Sequence, residues 1–179
     1  MKKLIITSLM LSILAISSNA HADGSAQTQI EVKGIVQSTC TIVNPDNSAF
    51  DYEELASSSG LLNISNVLDP RRLGHITCNG PASLSIKSTN GAMKIGGGAC
   101  DSSGSTTNCV LYKATADWDG LEVSLATTGT PSVATSTTQT AGATTADLTL
   151  TLELTGPTDK TLLTGSYSDL LVVKVGGLF

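Results

Sequence analysis

The amino-acid sequence predicts an all-β fold, a sandwich of many short antiparallel strands. Apolar and polar residues alternate with a period of two in several runs, as in half-buried strands. Turn-forming residues separate these runs every 8–12 residues or so, a spacing typical of β-sandwiches. The composition agrees, because 17 glycines, abundant Ser and Thr and a charged fraction of only 14% favour strands and turns over long surface helices.

The first residues of the chain have the pattern of a secretory signal peptide. Lys2 and Lys3 precede an apolar stretch over residues 4–16, and small residues at Ala20 and Ala22 flank a cleavage site. The apolar stretch is too short for a membrane anchor, and the alternative is a buried N-terminal helix. We therefore expect residues 1–22 to be removed on export, which leaves residues 23–179, a length that suits one domain.

Four cysteines remain after this cleavage, and export places them in an oxidising compartment, so two disulfides are expected. Sequence alone allows three pairings, of which we favour Cys40–Cys78 and Cys100–Cys109, the second closing a Gly/Ser/Thr-rich loop. A zinc site is the competing interpretation. It lacks Cys-x-x-Cys spacing, and His75 is the only histidine of the exported chain.

Residues 26–36 alternate and predict a strand directly after the cleavage site. The side chains of Ala26, Thr28, Ile30 and Val32 share one face of this strand. By itself the alternation fits an ordinary first strand of a sandwich.

The pattern is mixed between residues 44 and 72. Residues 44–48 form a turn cluster, residues 50–55 suit a strand or a short helix, and residues 61–67 suit a short strand. Strands are then predicted at residues 75–78 and 83–88. The dipeptide Asn90-Gly91 predicts a hairpin that leads into a strand around residues 93–95.

Alternation resumes in the second half of the chain. Residues 110–114 and 121–126 are predicted strands on either side of residues 117–120. Within residues 127–145, strands are expected at both ends, with a flexible loop between them. Residues 148–154 alternate, and residues 167–175 form the last predicted strand. There Leu171, Val173 and Val175 make one face, while Leu170, Val172 and Lys174 make the other.

Residue combinations typical of catalysis are missing from the sequence. It has no nucleophile elbow and no phosphate-binding loop, so we expect neither an enzyme nor a cofactor. Asp117, Asp119 and Gly120 only partly match a calcium loop and are interpreted as a turn. The net charge of −5 becomes more negative without Lys2 and Lys3, which makes nucleic acid an unsuitable partner.

Three segments resemble a known family, the chaperone–usher pilins. Residues 30–34 (IEVKG) leading to residues 40–42 (CTI) resemble the start of these pilins, and residues 75–80 (HITCNG) resemble their second-cysteine strand. Residues 165–175 (GSYSDLLVVKV) resemble their closing strand, most closely in the spore coat protein U-like, archaic branch. Tyr112 followed by residues 117–120 is similar to that branch more loosely.

The resemblance implies a specific architecture and assembly mechanism. Residues 37–179 are expected to form an immunoglobulin-like sandwich that lacks its last strand, and residues 23–36 to form a donor strand for the next subunit. Ala26, Thr28, Ile30 and Val32 would then enter a neighbour's groove. Expected groove residues and chaperone contacts lie on the closing strand, at Tyr167, Leu171, Val173 and Val175.

The expected partners follow from the same resemblance: other pilin subunits, a periplasmic chaperone and an outer-membrane usher. The expected location is a fimbrium on the cell surface, where the fibre supports adhesion or biofilm formation. The alternative function is a self-contained secreted binding module or adhesin, in which residues 26–36 pair within their own chain.

Overall fold

The computed structural model describes residues 31–46, 49–64, 68–101, 104–136 and 139–177. The predicted signal peptide and the positions of Ala26, Thr28 and Ile30 lie outside the described residues. The chain divides into two units, residues 1–35 and 36–179. Among the described residues, no helix has the length and apolar character needed to span a membrane.

The described part of the second unit contains twelve strands. They are β1 (Cys40–Val43), β2 (Arg71–Cys78), β3 (Ala82–Ser88), β4 (Met93–Ile95), β5 (Thr106–Thr107), β6 (Cys109–Trp118), β7 (Leu121–Ala126), β8 (Ser132–Thr135), β9 (Thr144–Gly156), β10 (Thr161–Leu162), β11 (Tyr167–Ser168) and β12 (Leu171–Gly177).

The strands form two main antiparallel sheets and one small parallel pair. The larger sheet has the order β1-β2-β9-β6-β4-β11, with β7 also paired to β6, and the smaller sheet has the order β12-β3-β8. Strands β5 and β10 pair in parallel. This arrangement confirms the predicted all-β sandwich.

The core lies between the two sheets and consists of side chains from alternate strand positions. Leu84 and Ile86 of β3 are fully buried against Val110 and Trp118 of β6 and the buried leucines of β9. The Trp118 indole donates a 3.2 Å hydrogen bond to the carbonyl of Ala146, so its one polar group is satisfied. The period-two prediction therefore identified the buried face of β3 and β9 correctly.

Both favoured disulfides are present, Cys40–Cys78 and Cys100–Cys109. The first joins directly opposite residues of β1 and β2, and the second ties the connection after β4 to the start of β6. The cysteines are therefore not zinc ligands. His75 instead places Nδ1 2.7 Å from the carboxylate of Asp147, which also pairs with Arg72.

The predicted hairpin at Asn90-Gly91 is wrong. Strand β3 belongs to the smaller sheet and β4 to the larger one, so the turn carries the chain from one sheet to the other. Gly91 has φ +77°, and an added Cβ would lie 1.8 Å from the Thr130 carbonyl oxygen. Glycine is required there for a close approach of two backbone segments, not for a two-residue hairpin.

The predicted closing strand over residues 167–175 is interrupted. Tyr167–Ser168 pairs with β4, whereas Leu171–Gly177 pairs with β3 in the other sheet. Between them, the Asp169 carboxylate accepts hydrogen bonds from the backbone amides of Asn90 and Leu170. These bonds replace ladder pairing at the point where the chain changes sheets.

Other strand boundaries also differ from the predictions. Around residues 50–55 and 61–67 the described chain forms only isolated bridges, Ala56 to Leu62 and Leu61 to Thr161. Strand β6 extends through Trp118, and the turn is confined to Asp119 and Gly120, both with positive φ. Residues 31–36, the described part of the predicted strand over residues 26–36, form no strand.

The two disulfides should differ in their contribution to stability. Replacing Cys40 and Cys78 by Ser opens a loop with a sequence separation of 38, and replacing Cys100 and Cys109 opens one of 9. The chain-entropy model gives losses of about 4 and about 2.5 kcal/mol. Urea unfolding of the two double variants measures the order, and a larger loss for the Cys100–Cys109 variant would contradict it.

Candidate binding groove

The last strand of the smaller sheet has one unpaired edge. Among the described strands, β12 pairs only with β3. The Thr89 amide donates to the Leu170 carbonyl across this pair. Backbone groups point to alternate sides along a strand, so those of Leu171, Val173 and Val175 point away from β3. These groups form an edge that is ready to pair with another strand.

An apolar groove runs beside this edge, between the two sheets. Its cavity volume is ≈530 Å³. Strand β12 supplies Leu171 and Val173 to one wall, and the opposite wall includes Ile42 of β1, Leu73 of β2 and Leu150 of β9. A side chain that entered the groove would therefore exchange water for apolar surface on both sides.

The predicted groove residues lie on the expected face of β12. Leu171, Val173 and Val175 are half-buried, whereas Leu170 and Val172 are exposed. Leu171 and Val173 line the cavity, and so does Tyr167 of β11. Val175 shares the face of β12 that carries Leu171 and Val173, but it is not part of the cavity lining.

A polar network closes the groove at the start of β12, and Asp169 is its centre. One carboxylate oxygen accepts hydrogen bonds from the Ser88 and Tyr112 hydroxyls, each at 2.5 Å. The other oxygen accepts from the amides of Asn90, at 2.8 Å, and Leu170, at 2.7 Å. The network joins the β3–β4 connection, β6 and the first turn into β12, so it holds the free edge strand in position.

Burial and the Asp169 network shape the ionisation of the tyrosines around this end of the groove. Burial, followed by the hydrogen bond to Asp169, raises the pKa of Tyr112 far above its ordinary value. Burial also raises the pKa of Tyr167, and burial together with the charge of Glu153 raises that of Tyr52 to about 12. These phenols are protonated at neutral pH, and the Tyr112 hydroxyl donates a hydrogen bond to the Asp169 carboxylate.

Tyr52 differs from Tyr112 in one respect. Its ring lines the groove and only 8% of its surface is exposed, but its hydroxyl has no hydrogen-bond partner among the described residues. The two hydroxyls therefore offer a matched comparison between a buried phenol with a partner and one without.

Two groove residues, Asp169 and Tyr52, were not predicted from the sequence, nor was Ser88 as a hydrogen-bond partner of Asp169. A carboxylate between two runs that alternate well was a usable signal for Asp169, because a charge at the start of a half-buried strand needs partners. Nothing in the local sequence indicated Ser88 or Tyr52. The carboxylates of Asp51, Glu53 and Glu54 are exposed.

The N-terminal segment leaves its apolar side chains in solvent over its described part. Val32, Ile35 and Val36 are 90%, 94% and 87% exposed. Glu31 and Lys33 form an exposed ion pair at 2.9 Å. Exposed apolar side chains on a segment whose sequence predicts a strand are typical of a surface that has a partner.

Together these features define a class of protein: an all-β sandwich domain with an apolar groove beside an unpaired edge strand. No family model matches the chain, and no curated protein matches its sequence. Among solved structures, the P pilus rod subunit PapA matches at 13% identity and a TM-score of 0.35, over 78% of this chain and 99% of that one. A match at this level does not establish a shared function, which must be argued from the groove.

The Asp169 network yields a test by a pair of Tyr→Phe variants. Tyr112→Phe removes a hydrogen bond to a carboxylate and should lower the free energy of unfolding by about 1.5–3 kcal/mol. Tyr52→Phe removes a buried hydroxyl without a partner and should leave stability unchanged or raise it. Urea unfolding of both variants tests this, and equal losses in the two would show that Asp169 does not hold the groove end.

Proposed function

We propose that this protein is a structural subunit of a bacterial surface pilus that polymerises by donor-strand complementation. Residues 23–36 of one subunit would enter the groove of the next and pair with the free edge of β12. The observation that carries the proposal is the coexistence of two complementary halves: an apolar groove beside an unpaired edge and an exposed alternating segment in the same chain.

Strand addition explains why both halves are present. The backbone groups at the edge of β12 gain partners, and alternate side chains of the added strand reach the apolar cavity. Ile30 and Val32 are the large members of the alternating set, and each contributes about 1.5–3 kcal/mol if fully buried. Ala26 and Thr28 are smaller and suit narrower parts of the groove.

A contact of this kind joins two different surfaces: residues 23–36 of one subunit, here called the extension, and the groove of another subunit. Repetition of a head-to-tail contact builds an open filament and not a closed ring. The resulting fibre on the cell surface would support adhesion or biofilm formation.

The empty groove also accounts for the proposed assembly partners. An exposed apolar groove with an unpaired edge promotes aggregation, so an exported subunit needs a protein that covers it before polymerisation. A periplasmic chaperone would fill this role, and an outer-membrane usher would be the place where the next subunit's extension replaces the chaperone. Residues 1–22 would direct the subunit to that compartment.

The alternative is a self-contained binding module in which residues 26–36 complete their own sandwich. The described part of this segment forms no strand, and its apolar side chains are exposed, which favours the pilin proposal. Purified protein that stays monomeric and soluble without a chaperone would favour the module instead.

A charge in the groove should block both the chaperone and the next subunit. Val173→Asp places a carboxylate in the apolar wall, which is costly without a partner. The matched control is Val172→Asp on the exposed face of the same strand. We expect Val173→Asp alone to lose chaperone co-purification and periplasmic accumulation, and normal behaviour of that variant would refute the groove assignment.

Removal of the donor segment should separate folding from polymerisation. A chain without residues 23–33 should still fold with its chaperone, but it should not extend a fibre from its own N-terminus. Ile30→Asp should act in the same way, with Gln29→Asp on the opposite face as the control. The measurements are chaperone co-purification and electron microscopy of surface fibres.

Two results of this experiment would count against the proposal. A deleted chain that no longer folds with its chaperone would show that residues 23–33 belong to their own domain. A deleted chain that still forms long fibres would show that another segment links the subunits.

A further inference from the structure

Building on the proposed function, we infer that the extension adds antiparallel to β12 in a single register, with Glu31 of one subunit directly opposite Lys174 of the next. An antiparallel orientation continues the smaller sheet, since β12, β3 and β8 pair antiparallel throughout. Purely antiparallel sheets are over-represented relative to random expectation.

This orientation requires a second copy of the chain, because the extension is connected to its own domain near the last residue of β12, whereas the inferred register places its C-terminal part beside the first residue of β12. Ser38 lies beside Gly177, where an added Cβ would be 2.4 Å from its hydroxyl oxygen. In the inferred register Gly34 lies opposite Leu171, about 20 Å away along β12 at the usual rise per residue. The four residues from Gly34 to Ser38 reach only about 14 Å when fully extended.

Burial restricts the register to steps of two. The inward side chains of the extension must lie opposite the inward side chains of β12, because a shift of one residue would turn Ile30 and Val32 into solvent. In the inferred register Val32 lies opposite Val173 and Ile30 opposite Val175. Both bulky donor side chains then meet the apolar face of β12.

Charge selects among the registers that burial allows. In the inferred register the exposed faces place Glu31 opposite Lys174, and Ile35 opposite the exposed Leu170. A shift of two in one direction places Lys33 opposite Lys174, a like-charge pair that destabilises a sheet. A shift in the other direction places the neutral Gln29 there. Glu31 now pairs with Lys33 in an exposed contact, which the inserted strand would exchange for Lys174.

The backbone geometry favours this contact. Since the backbone groups of Leu171, Val173 and Val175 face the free edge, these residues form the hydrogen-bonded pairs with an added strand. Lys174 falls in a non-hydrogen-bonded pair, where the Cα atoms approach to about 4.5 Å and side chains are closest. That spacing suits an ion pair and also lies within the range of a disulfide.

Cysteine cross-linking of assembled fibres tests the register. Three double variants each carry Lys174→Cys, combined with Gln29→Cys, Glu31→Cys or Lys33→Cys. After oxidation and denaturation, we expect a covalent ladder of subunits on a non-reducing gel for the Glu31→Cys variant and little for the others. A stronger ladder from either of the other pairs, or fibres with no ladder from any pair, would overturn the inferred register.

Reversal of the charges at positions 31 and 174 provides a second test of the register, which does not depend on disulfide cross-linking. The acceptor for this measurement is a subunit that lacks its own residues 23–33 and is supplied as the complex with its chaperone. Glu31→Lys in a peptide of residues 23–36 should weaken binding of the peptide to this subunit about fivefold. Lys174→Glu in the groove-bearing subunit should restore the affinity for that variant peptide. Failure of this rescue would overturn the pair, whereas a wild-type peptide that does not bind at all would refute the proposed function itself.

Discussion

The structure depends on one edge strand that is held in place without a neighbour on its open side. Strand β12 pairs with β3 alone among the described strands, and the carboxylate of Asp169 anchors its start through four hydrogen bonds. Because these bonds come from three separate segments, the edge keeps its position while the groove is empty. The edge proposed to receive a donor strand is therefore organised in advance, which would lower the entropic cost of the proposed strand addition.

Period-two alternation was sufficient to predict the fold class and the buried faces. Leu148, Leu150, Leu152 and Leu154 form the buried face of β9, and Leu171 and Val173 face the groove. Alternation reports which side of a strand is apolar, but it carries no information about which sheet the strand joins. That is why the Asn90-Gly91 hairpin prediction was wrong: the turn signal was real, but the flanking strands have partners elsewhere.

The hydrogen bonds of Asp169 at the polar end of the groove could not be predicted from the sequence, for a related reason. Asp169 meets Tyr112 across 57 positions of the chain and Ser88 across 81. Such contacts depend on the completed topology, and no local pattern encodes them. The buried, unpartnered hydroxyl of Tyr52 likewise becomes visible only once the sheets are packed.

The position of the first disulfide has a mechanical consequence. In the proposed filament, tension would enter each domain from residues 23–36, at the start of β1. Strand β1 begins at Cys40, which is bonded to Cys78 at the far end of β2. A pulling force therefore passes through a covalent bond into the interior of the larger sheet at the first residue of β1, and it cannot peel β1 away one hydrogen bond at a time.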